Sequence, residues 1–172
     1  MRQNTIIWLA SLLLAVLLAA GCGVVQQSSA EKKAEAARVA AAVQQNLNAR
    51  QFRINVEYMY PSNGGSRYVG GDGYALVVDG DKVKSHLPYM GVAYSVPYGG
   101  GKVLNFEDDI DSYSEEKSRD DRRKVVFSTD NGEDYIVFQV TVFDNGQADI
   151  QVRCKNRQQI SFRGEMDTDA GE

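Results

Sequence analysis

The side chains able to make or break bonds are few. Histidine occurs once, at His86, and cysteine twice, at Cys22 and Cys154. One imidazole cannot build a His-rich zinc site, nor a triad that needs a second supporting histidine. In the alternating segment Lys82 to Leu87, His86 shares a face with Lys82 and Lys84, opposite Val83 and Leu87. Cys154 falls instead on the apolar face of Ile150 and Val152, where a buried thiol behaves as a small hydrophobe. A thiolate–imidazole pair would require those opposite faces to converge. No catalytic residue is therefore assigned, and the chain reads as a noncatalytic protein.

Glu107, Asp108, Asp109 and Asp111 have the oxygens calcium prefers, but their spacing lacks the central Gly and terminal Glu of an EF-hand loop. The run continues through Glu115 and Glu116 into Lys117, Arg119, Arg122, Arg123 and Lys124, which reads as a self-neutralising exposed hairpin. Gly99-Gly100-Gly101-Lys102 suggests a phosphate loop, yet Val96 and Val103 stand where the motif needs Gly and Ser or Thr, so a Gly-rich connection is expected. No metal and no cofactor is assigned. Tyr89, Tyr94 and Tyr98 remain, three aromatic faces with polar tips among glycines that let the backbone approach or move. They are the candidate contacts for a small apolar or amphipathic ligand, or they close one end of the fold.

Cys22 has different chemistry. After Arg2, the uncharged run Ile6 to Ala20 is followed by Gly21-Cys22, the plan of a secretory signal. About 15 apolar residues fall short of the roughly 20 that span a bilayer. Leu18-Ala19-Ala20-Gly21-Cys22 resembles the bacterial lipobox, with Ala19 where that pattern usually has Leu, and the resemblance implies cleavage before Cys22 and acylation of its thiol. Each buried methylene of such a lipid contributes about 0.8 kcal/mol, so several chains anchor stably. The protein is then a lipid-anchored component of the bacterial cell envelope, periplasm-facing rather than surface-exposed. Removing 21 of the 172 residues leaves 151, with acidic residues outnumbering basic by five, a balance that argues against a nucleic-acid partner. With Cys22 acylated, Cys154 has no intramolecular disulfide partner, and stability must come from packing.

The elements that would position these groups follow from periodicity. Residues 22–29 form a linker, and Ser28-Ser29-Ala30-Glu31 matches a capping box opening a helix over 30–49. Its Ala36, Val39, Ala40, Val43 and Leu47 form one apolar stripe, suited to docking on the following domain. From residue 50 the period changes to two. Phe52, Ile54, Val56, Tyr58 and Tyr60 alternate with polar neighbours; Asp79-Gly80-Asp81, Thr129 to Glu133 and Asp144-Asn145-Gly146 are turns between further alternating runs; and Gln158 to Arg163 supplies a last strand. The β domain spans 50–165, with a frayed acidic tail over 166–172. With no helical pattern between the strands, the expected architecture is an antiparallel meander closing as an up-and-down barrel, with a two-sheet sandwich as the alternative.

Two segments carry a family resemblance. Leu87-Pro88-Tyr89-Met90-Gly91-Val92-Ala93-Tyr94-Ser95-Val96-Pro97-Tyr98-Gly99-Gly100 and Lys155 to Gly164, in the order signal, helix, strands, resemble the uncharacterised bacterial lipoprotein family of domain of unknown function 4251, over roughly Glu31 to Met166. The resemblance implies a lipocalin-like β topology and a lipid anchor, and it carries no catalytic or binding residue. The function expected is a membrane-anchored envelope lipoprotein that binds a small apolar ligand or an envelope partner; the alternative is a structural or protein-interaction module without a small-molecule ligand.

Overall fold

The computed structural model describes residues 29–94, 103–119 and 121–169. The signal segment, Cys22, Ser28 of the expected capping box, Tyr98 and the Gly99 to Lys102 run lie outside them. The chain divides into two compact units, Met1–Lys33 and Ala34–Glu172. Of the first, only Ser29–Lys33 is described, as part of helix α1 (Ser29–Ala49).

Helix α1 is built from strong helix formers, with Glu31 in the first turn, where the helix dipole favours an anion. Its expected stripe docks through its C-terminal half: Val43 and Leu47 are buried and Val39 is partly buried, while Ala36 is exposed. The helix stops at Arg50, which takes a left-handed φ of 53° and donates its N–H to the Leu47 carbonyl at 3.0 Å.

Ten strands follow: β1 (Gln51–Pro61), β2 (Arg67–Tyr68), β3 (Ala75–Asp79), β4 (Lys82–His86), β5 (Asn105–Asp109), β6 (Ser112–Arg119), β7 (Arg122–Asp130), β8 (Tyr135–Phe143), β9 (Gln147–Cys154) and β10 (Ile160–Met166). They form one antiparallel sheet in the order β5-β4-β3-β1-β10-β9-β8-β7-β6, with β2 beside β1. Nearly every spatial neighbour is a sequence neighbour, and β1 joins the two runs by pairing with both β3 and β10. The chain is thus mainly β, a meander curled into a half-barrel with the helix before it.

The two outermost strands, β5 and β6, are consecutive in sequence and linked only by Ile110 and Asp111. The seam is stitched at that corner. The Thr129 hydroxyl donates to the Asp109 carbonyl at 2.8 Å, and the Asp111 N–H donates to Ser128 at 2.9 Å.

Alternating positions of the central strands face inward, and they fill the concavity. Phe127 and Phe138 stack with centroids 4.9 Å apart, Phe106 lies 6.4 Å from Phe138, and Ile54, Leu76, Leu104, Ile136, Ile150 and Phe162 are fully buried around them. The helix adds Val43 and Leu47 to the same cluster. Polar contacts fix its C-terminal half: the Asn46 amide donates to the Asp167 carbonyl (3.3 Å), Arg123 donates to Asn48 (2.7 Å), and the Arg50 guanidinium lies 4.3 Å above the Tyr113 ring. These contacts gather at the end of the half-barrel that carries the β3–β4 turn, where the Gly80 N–H meets the Arg50 carbonyl.

Three expectations are corrected. The single alternating face of Phe52 to Tyr60 is interrupted by a bulge between Val56 and Tyr58, so Met59 and Pro61 turn inward and Tyr58 outward. An inserted residue shifts the phase of everything after it. The acidic run does not all belong to a self-neutralising hairpin. Glu107 and Asp109 lie on β5 opposite Lys84 and Lys82 of β4, at 3.6 and 2.9 Å, while Glu115 pairs with Arg123 (2.6 Å) between β6 and β7. The tail does not fray at 166: Met166 is buried, Asp167 donates its N–H to the Arg53 carbonyl (2.8 Å), and Asp169 lies 3.6 Å from Arg38.

Candidate functional site

The two motif segments meet. The β9–β10 connection, residues 155–159, lies at the end of the half-barrel opposite the helix contacts, and residues 87–94 cross it as a strap after β4. The Tyr94 N–H donates to the Asn156 carbonyl (2.8 Å) and the Gln158 N–H to the Val92 carbonyl (3.0 Å), so Ala93 and Arg157 form a one-residue antiparallel bridge. The Val92 N–H in turn reaches the Gln158 side-chain oxygen at 3.2 Å. Tyr89 completes the lacing. Its hydroxyl is within reach of the carbonyls of Gln158 (3.1 Å) and Val92 (3.2 Å), and its single proton serves one at a time. Gly91 allows this approach, since a Cβ there would stand 2.7 Å from that hydroxyl.

Beneath the strap is a buried ion pair. Arg157 donates to Asp134 at 3.2 Å and lies 3.9 Å from Glu133; the Arg157 and Asp134 side chains are 3% and 0% exposed. Asp134 also accepts the Asn156 N–H (3.1 Å), so its charge is met from both backbone and side chain. The turn presenting it is an Asx turn in which the Asn131 side-chain oxygen accepts the N–H groups of Glu133 and Asp134 (3.0 and 2.9 Å), Gly132 taking φ 77°. The Asn131 Nδ2 is buried without a protein partner. Arg157 therefore stands where three connections meet: the backbones of its neighbours Asn156 and Gln158 bond the strap, and its guanidinium reaches the β7–β8 turn.

Cys154 borders this cluster, partly buried against the core. Burial pushes its thiol up to about 12; the Asp134 carboxylate adds to the rise and Arg157 opposes it. Burial likewise raises the Tyr89 hydroxyl, with the Cys154 charge as the next cause. A thiol so held is protonated and a poor nucleophile at neutral pH. His86 is on the exposed face of β4, its Nδ1 3.1 Å from the Asn105 side-chain oxygen and its ring 5.2 Å from Tyr74.

Of the three tyrosines singled out from sequence, Tyr89 is laced into the strap, Tyr94 is 70% exposed and Tyr98 lies outside the described residues. Val92 is exposed, and so is Tyr135, whose carbonyl accepts the Lys155 N–H one residue from Asn156, the partner of Tyr94. Sequence reasoning missed Asp134 and Arg157. Each stands in a polar turn segment, and nothing local distinguishes a charge that will be buried from one that will be solvated.

A helix docked on an antiparallel half-barrel, with a strap laced over one end, defines the class. Residues 34–166 match the family model described as domain of unknown function (DUF4251), and the chain belongs to that family. It is also similar in fold to the crystal structure of a DUF4251 family protein from Bacteroides eggerthii DSM 20697, at 14% identity and a TM-score of 0.58, covering 76% of this chain and 87% of that one. No curated protein matches the chain.

Proposed function

We propose that this protein is a membrane-anchored envelope lipoprotein, held by acylated Cys22, whose noncatalytic β domain acts as an interaction module through its strapped end. The observation that carries the reading is the contrast between an interior in which Phe127, Phe138 and Phe162 are fully buried and the exposed side chains of Val92 and Tyr94 on the strap and Tyr135 beside its partner connection. Among the described residues these side chains occupy the interior, whereas the exposed Tyr94 and Tyr135 supply contact area with few rotatable bonds to order. The partner is an envelope component on the periplasmic side. Cys154, protonated and half-buried, and His86, bonded to Asn105 on the exposed face, supply no nucleophile and base pair.

Two measurements test this. Native mass spectrometry of the protein after incubation with envelope lipid extract should find no apolar adduct in the β domain. Such adducts would restore the small-ligand reading. Radioactive palmitate should label the wild-type protein in cells and fail to label Cys22→Ser; labelling that survives the substitution would refute the lipid anchor.

A further inference from the structure

We infer that the strap over residues 87–94 is a lid that opens as a unit while the barrel stays folded, and that the Arg157–Asp134 pair is the latch holding it shut. This goes beyond the interaction reading and stands whether or not the strapped end takes a partner. The ladder of β4 ends at His86 and that of β5 begins at Asn105; past the Leu87 N–H bond to the Leu104 carbonyl (3.0 Å), the described strap residues pair with a strand neighbour only at the Ala93–Arg157 bridge. Leu87 is buried in the core and fixes the near end of the strap, while Pro88 to Tyr94 beyond it are all intermediate or exposed. Segments with little buried apolar surface and few backbone bonds open at a small fraction of the global unfolding free energy.

The attachments are concentrated on one connection. Both strap-to-turn backbone bonds, the Gln158 side-chain bond and the Tyr89 hydroxyl all fall on residues 156–158, whose position is set by Arg157 reaching Asp134. Releasing the guanidinium loosens the turn, which then keeps its Lys155 and Asn156 N–H bonds to Tyr135 and Asp134, and leaves Asp134 buried without its cation; water entering to solvate that carboxylate favours the open arrangement. Opening lifts Tyr89 and Met90 from the core against which the partly buried Cys154 also packs, and solvent access to its thiol should rise. The strapped end thereby has a closed state with Tyr89 and Met90 on the core and an open state in which that part of the core is accessible.

Cys154 reports the transition. The experiment uses the full chain in detergent and a charged thiol reagent, quantifying the Cys154-containing peptide by mass spectrometry so that Cys22 does not contribute. Amide hydrogen exchange is followed in parallel in β8 and β9. Arg157→Gln should accelerate native labelling by about tenfold or more, the loss of a buried ion-pair partner. Tyr89→Phe, which keeps the ring and removes the hydroxyl, should accelerate it by about two- to tenfold, the worth of one net hydrogen bond. In the wild type the opening free energy read from Cys154 labelling should lie well below that read from exchange at Ile136, Val140 and Ile150, and the gap should persist in both variants. Labelling unchanged in both variants, or Cys154 labelling and β8–β9 exchange governed by one and the same opening free energy in the wild type, would overturn the lid. Should Arg157→Gln not fold, Tyr89→Phe decides alone.

Discussion

At the scale of single residues the consequence easiest to measure is the behaviour of Cys154 at alkaline pH. Burial raises its thiol from an ordinary 9.0 to about 12 in the folded protein. The folded state therefore prefers the neutral form, and the stability this contributes is complete below pH 9 and is lost as pH rises toward 12, because the unfolded chain ionises first. Tyr113, raised to about 12 chiefly by burial and secondarily by Glu115, adds to the same loss from its ordinary 10.0 upward. Urea midpoints of the wild type should fall between pH 9 and 12, and Cys154→Ala should flatten the first part of the fall; an unchanged slope would mean that the thiol is solvated. The inward face of Cys154 was legible from alternation with Ile150 and Val152. The charges that surround it were not, since Asp134 and Arg157 are 23 residues apart and meet only because β8 and β9 are paired in register from Ile136 with Cys154 to Val142 with Ala148.

At the scale of elements the alternating strands β3, β4, β8 and β9 and the helix could be read directly, since each shows one period along its length and turns at Gly80, Gly132 and Gly146 take the positive φ their glycines favour. What escaped were the features where a second element overrides the local pattern. The bulge in β1 is one: opposite it, Gly164 of β10 pairs with Val56, and a Cβ on Gly164 would collide with the Asn55 carbonyl oxygen. Because that neighbour is backbone held on both sides by ladders, it has no room to yield. Gly164→Ala should cost about 1–3 kcal/mol, read as a lower urea midpoint with a native-like far-UV circular dichroism spectrum. A midpoint within experimental error of the wild type would show that the bulge relaxes freely. β5 was a further omission: its Glu107, Asp108 and Asp109 suggest a solvated surface until Lys82 and Lys84 are seen across the ladder.

At the scale of the molecule the expected meander is present, and its closure is partial because β5 and β6 meet at a corner without forming a ladder. The order of strands also governs how the chain finds its fold. Most strand pairs are hairpins between neighbours, with ends only a few residues apart, whereas β1 pairs with β10 from Ile54 with Met166 to Pro61 with Ile160, across nearly the whole domain. Closing so long a loop carries the largest entropy of any step, so this pairing contributes little until the hairpins exist. β1 then acts as the closing tooth of a zip, joining the β3–β5 run to the β6–β10 run in one late event. Ile54→Val should accordingly speed unfolding and leave the refolding rate near that of the wild type, whereas Val140→Ala in β8 should slow refolding. During synthesis at the ribosome the same logic leaves β1, among the earliest strands made, without its β10 partner until the last has emerged.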